Sequence, residues 1–299
     1  MSGWLGEGLA LLSAAAFALS NIFISRTAGS RGDKGVLFSV LVTMVFSGVL
    51  FLLIEAGRIP EGPGAMAGLG WFAAAGVSAM VFGRTFVYRS IRALGVARSS
   101  SVKRLNPFFS VILATAFLSE APSGWDIAGM GAIALALGVL VRAGLRREAK
   151  AGTGPGIAAY GPGVIAAMAY SVSYLARKLG LQLVFAPALG TFVSALAGFA
   201  AFAALAVVWP RYRKMFTGIF ANLDRWIVLA SILISAGQIL MFAALAYAPV
   251  STVVMIASLE VFIAIFLSSY VFRIEARPDA SILAAAALAT AGAVLLAMG

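Results

Sequence analysis

Glu260 lies in ASLEVFIAIF with apolar residues on both sides and no loop into which a short carboxylate can reach. In a lipid-embedded segment such a group is neutralised by a proton or paired with a cation. Its chemistry is therefore reversible proton binding or ion pairing. Lys103 and Arg104 sit beside Asn106 and Pro107, ahead of a long apolar run, in SSSVKRLNPFFSVILATAFLSEAP. Arg84 lies about two turns inside the end of another apolar run, a depth at which a cation is costly unless paired or hydrated. Cations in such places attract a carboxylate or a phosphate. The chain has no Cys and no His, which removes thiolate nucleophiles, imidazole acid/base work, disulfides, and zinc or haem ligation by those residues. No catalytic residue, metal site or cofactor is expected.

The elements that must position these groups are membrane spans. Of 299 residues, 62% are hydrophobic and 11% charged, too apolar for a soluble globular chain. Apolar runs of bilayer length recur from end to end, near residues 5 to 25, 36 to 54, 68 to 91, 97 to 118, 125 to 142, 157 to 178, 187 to 209, 226 to 247, 250 to 272 and 280 to 298. They are continuous and rich in Ala, Leu and Gly, not alternating, so each closes its backbone hydrogen bonds internally and reads as a helix, not a barrel strand. The longest polar stretch, RAGLRREAKAGTGPG from Arg142, is a connector. MSGWLGEGLALL carries no Lys or Arg ahead of the first span, so residue 1 is expected to be the mature end.

Lys and Arg number 22 against 11 acids, and in a polytopic chain they read as orientation signals, with no nucleic-acid partner. Odd connections are basic: Arg26, Arg31 and Lys34 follow span 1; Arg98 follows span 3, with Arg89 and Arg92 on its approach; Arg146, Arg147 and Lys150 follow span 5. Arg211, Arg213, Lys214 and Arg225 follow span 7, and Arg273 and Arg277 follow span 9. Even connections are assigned Arg58 after span 2 and Arg177 and Lys178 after span 6. The positive-inside rule then puts the odd loops in the cytoplasm and both termini outside.

An offset of 153 lays AAAFALSNIF, from Ala14, on AMAYSVSYLA, from Ala167, and LGVARSSSVKRLNPFF, from Leu94, on YAPVSTVVMIASLEVF, from Tyr247. Pro107 then meets Glu260, and Gln238 meets Thr85. Five spans is an odd number, so the second half enters the membrane upside down, and the loop cations of both halves fall on one side. The expectation is an all-α polytopic membrane protein of ten transmembrane helices in two inverted five-helix repeats, residues 1–150 and 151–299.

The small-residue openings of spans 1 and 6, the LNPFFSVILATAFLSEAP block and the closing helices GAIALALGVLV and LATAGAVLLA together resemble the EamA branch of the drug/metabolite transporter superfamily. The resemblance covers nearly the whole chain and is strongest over residues 93 to 140. It implies a bundle that carries small metabolites, often outward, around a central cavity lined by helices 3, 4, 8 and 9 and parts of 1 and 6. The chain departs from that pattern twice. Relatives of this kind place both termini in the cytoplasm, against the loop charges, and Glu260 stands where a proline is expected.

Arg84 and Tyr88 share one helical face with Arg92, and Lys103 and Asn106 share another with Ser99. These residues, with Asn21, Tyr170, Tyr174 and Gln238, form the candidate substrate site. Glu260 and Arg104 form a candidate ion pair or proton-coupling site, with the proton as coupling ion. Pro107 removes a backbone donor inside span 4 and is expected to kink it as a gating point. Ala128, Ala132 and Ala136 of span 5 and Ala285, Ala289 and Ala293 of span 10 recur every fourth residue, which suits close packing of these helices on each other or on a second copy, so the chain is a monomer or a homodimer. The functional expectation is a multi-pass transporter of the inner or plasma membrane that exports an amino acid or other organic anion by alternating access. The alternative is an exporter of amphipathic drugs. A lipid-modifying enzyme lacks convergent acid/base groups, and a channel lacks a filter sequence.

Overall fold

The computed structural model describes residues 4–27, 32–56, 62–94, 102–149, 157–221, 223–273 and 277–298. Every regular element among them is helical. Helices α1 (Leu5–Thr27) and α2 (Gly32–Leu50) are followed by α3 (Pro63–Val77) and α4 (Arg84–Leu94), which a π-helical stretch, Ser78–Gly83, joins into one rod. Helices α5 (Asn106–Leu118) and α6 (Gly124–Ala149) complete the first half. The second half holds α7 (Gly161–Leu183), α8 (Pro187–Val208), a short basic helix α9 (Pro210–Thr217), α10 (Arg225–Tyr247), α11 (Val250–Ala257), α12 (Glu260–Phe266) and α13 (Ala280–Met298). Further π-helical turns extend α2 through Glu55 and α12 through Val271.

Eight stretches are long and apolar enough to cross a bilayer. They match the expected spans except at two places, where Asn106–Leu118 is a shorter apolar helix and α7, with 23 residues, carries Arg177 and Lys178. The sequence assignment of those two cations to a loop is therefore corrected. Helix α7 runs on to Leu183 and stops only where Val184 and Ala186 turn extended ahead of Pro187, because the residue before a proline is driven out of the helical region. Arg31, Arg58 and Arg98 lie outside the described residues, as do the side chains of Lys34, Arg92, Arg146 and Arg147.

Helix pairing follows a pseudo-twofold. Helix α1 packs on α10 as α7 packs on α3, α2 packs on α10 as α8 packs on α3, and α5 packs on α7 as α11 and α12 pack on α1. The remaining principal pairs, α2 with α8, α5 with α11 and α6 with α13, map onto themselves under the same exchange. Because lipid offers no hydrophobic gain for helix association, hydroxyl-to-carbonyl bonds tie the rods. Ser13 Oγ donates to the Gly237 carbonyl at 2.8 Å, Ser78 Oγ to Ala169 at 2.8 Å and Ser173 Oγ to Ala75 at 2.9 Å.

The repeat register stays at 153 where Phe17 of α1 mates with Tyr170 of α7, and becomes 154 from Gly83 and Gly237 onward, one residue longer than the sequence alignment. Phe17 covers Gly237 as Tyr170 covers Gly83. Leu105 N–H bonds the Val102 carbonyl as Leu259 N–H bonds that of Ile256, both at 3.0 Å. Gln238 thus pairs with Arg84 rather than Thr85, and Glu260 with Asn106 rather than Pro107.

Those two tightened turns break the rods they lie in. Span 9 stops at Ala257 and restarts at Glu260, and the chain ahead of α5 turns at Arg104 and Leu105 before the helix begins at Asn106. Pro107 is therefore not a mid-helix kink, as expected from sequence. It sits in the first turn of α5, where a missing N–H costs nothing because that donor has no intrahelical partner.

Helices α6 and α13 cross with their backbones almost touching, as the small-residue stripes foretell, although Gly129 and Gly292, not the alanines, mark the closest point. A Cβ on Gly129 would meet the Gly292 oxygen at 2.6 Å. Gly129→Val should lower the stability of the detergent-solubilised protein by about 1 to 3 kcal/mol through overpacking, whereas Gly131→Val, where a Cβ meets nothing, should be near neutral. Equal melting of the two variants would refute the crossing.

Candidate functional site

The broken turns place Glu260 at the start of α12, where the helix dipole favours an anion. Its Oε1 accepts a hydrogen bond of 2.6 Å from Asn21 Nδ2 of α1. Lys103 and Arg104, in the turn ahead of α5, lie within electrostatic reach of the same carboxylate. The Lys103 side chain is exposed. Its ammonium stands 5.5 Å from the ring centre of Tyr170. Arg104 Nε is buried with no hydrogen-bond partner.

Asn106, the repeat mate of Glu260, has a different task. Its side-chain oxygen accepts from Ser110 Oγ at 3.0 Å and Ser171 Oγ at 3.2 Å, and its backbone carbonyl accepts from Ser171 Oγ at 3.0 Å. It fastens α5 to α7, leaving Glu260 as the charged partner of the pair. The Tyr88 side chain lies outside what is described.

Tyr170 and Tyr174 approach Lys103 from α7, and Arg177 follows one turn further on along the same helical face. Arg177 is 2% exposed. Its Nη2 donates to Gln238 Oε1 at 2.9 Å, and its guanidinium carbon stands 4.6 Å from the ring centre of Phe242 and 5.4 Å from that of Tyr174. Tyr174 is within electrostatic reach of Arg177, Lys103 and Glu260 together, so the two polar groups form one seam. Arg84 is in reach of both Lys103 and Arg177. Its Nη1 donates to the Val36 carbonyl at 3.1 Å and to Ser39 Oγ at 3.2 Å. The seam thus gathers Asn21, Arg84, Lys103, Arg104, Tyr170, Tyr174, Gln238 and Glu260, all named from sequence, and adds Arg177. The signal for Arg177 was present: Tyr170, Tyr174 and Arg177 follow at i, i+4 and i+7, one helical face.

The two ends of the bundle differ. Where α8 and α11 begin, carboxylates hold the helix starts. Both oxygens of buried Glu55 accept from Ala188 N–H at 3.0 Å and Leu189 N–H at 2.9 Å. Glu120, turned back by the left-handed Ser119 (φ 53°), accepts from Val250 N–H at 2.7 Å, Ser251 N–H at 3.1 Å and Ser251 Oγ at 2.7 Å. Lys178 Nζ donates to the carbonyls of Leu245 and Ala248, each at 2.8 Å. Sequence reading missed this set, whose mark is Ala-Pro repeated ahead of α8 and α11. At the opposite end a cavity of about 380 Å³ opens between α4, α8 and α9, lined by Arg84, Arg89, Phe202, Trp209, Arg211 and Tyr212. Among the described residues no three carboxylates come together as a metal site would require.

A two-repeat helical bundle, closed at one end, with broken helices and a charged seam at its centre, defines a multi-pass membrane transporter. The chain belongs to the EamA-like transporter family, whose model matches residues 4–142 and again 158–298. No curated protein matches it. A solved structure described only as "Crystal structure of protein" has a TM-score of 0.72 over 97% of this chain and 95% of its own, at 14% identity, a likeness that bears on the fold alone.

Glu120→Ala strips the start of α11 of its charged acceptor. It should cost about 1.5 to 3 kcal/mol and speed amide exchange at Val250 and Ser251. Unchanged exchange there would show that the carboxylate does not hold the helix.

Proposed function

We propose that the chain is a secondary transporter of the inner or plasma membrane that exports a small metabolite carrying a carboxylate, an amino acid being the leading candidate, by alternating access with proton coupling through Glu260. The observation that supports this reading is the seam's charge: it holds four cations, Arg84, Lys103, Arg104 and Arg177, and one acid, Glu260, which lies within reach of Lys103 and Arg104. A field of that sign attracts an anionic group, and the acid supplies the complementary place for an ammonium. A zwitterion would set its carboxylate toward the cations and its ammonium on Glu260. Protonating Glu260 removes the ammonium's partner and releases Asn21 and Lys103, so proton and substrate occupy the seam in turn, as antiport requires. Exchange of the conformations of the two halves would open the sealed end and close the basic one. Loop charges favour a cytoplasmic basic end.

Glu260→Gln tests the coupling. In liposomes carrying a pH gradient, uphill amino-acid flux should vanish in the variant while binding to the solubilised protein stays measurable. Flux that still follows the gradient would reject Glu260 as the coupling group.

A further inference from the structure

Arg177 is the most deeply buried cation of the seam, and among the described residues no carboxylate is hydrogen-bonded to it. Its side chain is 2% exposed, and Nε and Nη1 are buried without any hydrogen-bond partner. The single acceptor it has is the neutral amide oxygen of Gln238, at 2.9 Å. Three carboxylates of the bundle are engaged elsewhere: Glu55 on Ala188 and Leu189, Glu120 on Val250 and Ser251, Glu260 on Asn21. The rings of Phe242 and Tyr174 soften the burial through their negative faces, yet a ring does not satisfy an N–H. A guanidinium taken out of water and left unpaired is destabilising, and a planar fork of donors matches a carboxylate far better than an amide.

We infer that Arg177 is the anchor for the substrate's carboxylate, with Gln238 as the acceptor that occupies the guanidinium while the site is empty. The inference rests on the transporter reading above and deepens it, by moving the anionic end of the ligand from Lys103 to a deeper point on α7. Tyr174 lies between the two clusters and covers Arg177 from the seam, so the ligand reaches the guanidinium when this half-buried ring swings aside. The walls beside the anchor, Phe242 and Tyr174, are aromatic, which suits a carboxylate borne on an apolar or aromatic body. Lys103, Glu260 and Asn21 then read the other end of the molecule.

The test uses the full chain in detergent and follows thermal unfolding with acetate, benzoate, L-glutamate and L-phenylalanine, each at millimolar concentration and matched ionic strength. Benzamide and L-phenylalaninamide serve as uncharged-end controls. At least one carboxylate should raise the melting temperature of the wild type by a few degrees while its amide does not. Arg177→Gln removes an unsatisfied charge, so the unliganded variant should melt no lower than wild type and should lose the carboxylate shift, with apparent affinity down about tenfold or more. Arg177→Lys, which keeps the charge but not the fork, should recover part of it. An Arg177→Gln protein that melts lower without ligand, or that keeps the full shift, would overturn the anchor, as would a wild type indifferent to every carboxylate. Liposome flux separates the two readings. Unaltered substrate flux in Arg177→Gln overturns the anchor and leaves transport intact, whereas a wild type that binds carboxylates but moves none of them uphill upholds the anchor and ends the transport reading.

Discussion

Inside a hydrocarbon slab no water is available to receive a backbone group or a charge, so a helix can be interrupted only where protein or a hydrated cavity takes up the consequences. The breaks before Asn106 and Glu260 are therefore the constraint on which the rest depends. Each sits at the same repeat position, each is closed by the same tightened turn, and each starts a new helix whose positive dipole end faces the centre. Once both lie at the α5–α11 contact, α1 and α7 must wrap them, which brings Asn21 to Glu260 and Tyr170 to Lys103.

The symmetry of the backbone is not carried into the chemistry. At equivalent positions the first half has Asn106, consumed in bonds to Ser110 and Ser171, and the second has Glu260. Likewise Arg84 of α4 and Gln238 of α10 occupy equivalent repeat positions, and only one of them is charged. A duplicated scaffold with unlike residues at its mated positions gives one charged seam instead of two equal half-sites. Such asymmetry lets a pocket on a pseudo-twofold hold a molecule whose two ends differ.

Charge also governs the two ends of the bundle, through opposite devices. At the sealed end Glu55 and Glu120 satisfy the free N–H groups of helix starts, and Lys178 satisfies the free carbonyls of a helix end, so each ion meets the dipole of its own complement. These bonds lie beside a broad apolar cluster that includes Leu181, Val184, Leu189, Leu245, Val250 and Val253. At the basic end Arg84, Arg89 and Arg211 border open space.

Sequence alone determined that the chain is helical and membrane-spanning and that it has two related halves, because hydropathy over a bilayer's thickness and the cost of an intramembrane charge are local properties that composition reveals. Glu260 could be singled out on that basis without knowing any neighbour. The register of the repeat, the place of Pro107 and the role of Arg177 were decided only by the tertiary structure. A one-residue offset between apolar helices changes no hydropathy, a proline reads alike inside a helix or in its first turn, and a cation six residues before a helix end looks like a loop until the helix that continues past it is packed. Whether a guanidinium is paired, snorkelling or left without a partner depends on residues 61 and 65 positions away, Gln238 and Phe242, and only folding brings them within reach.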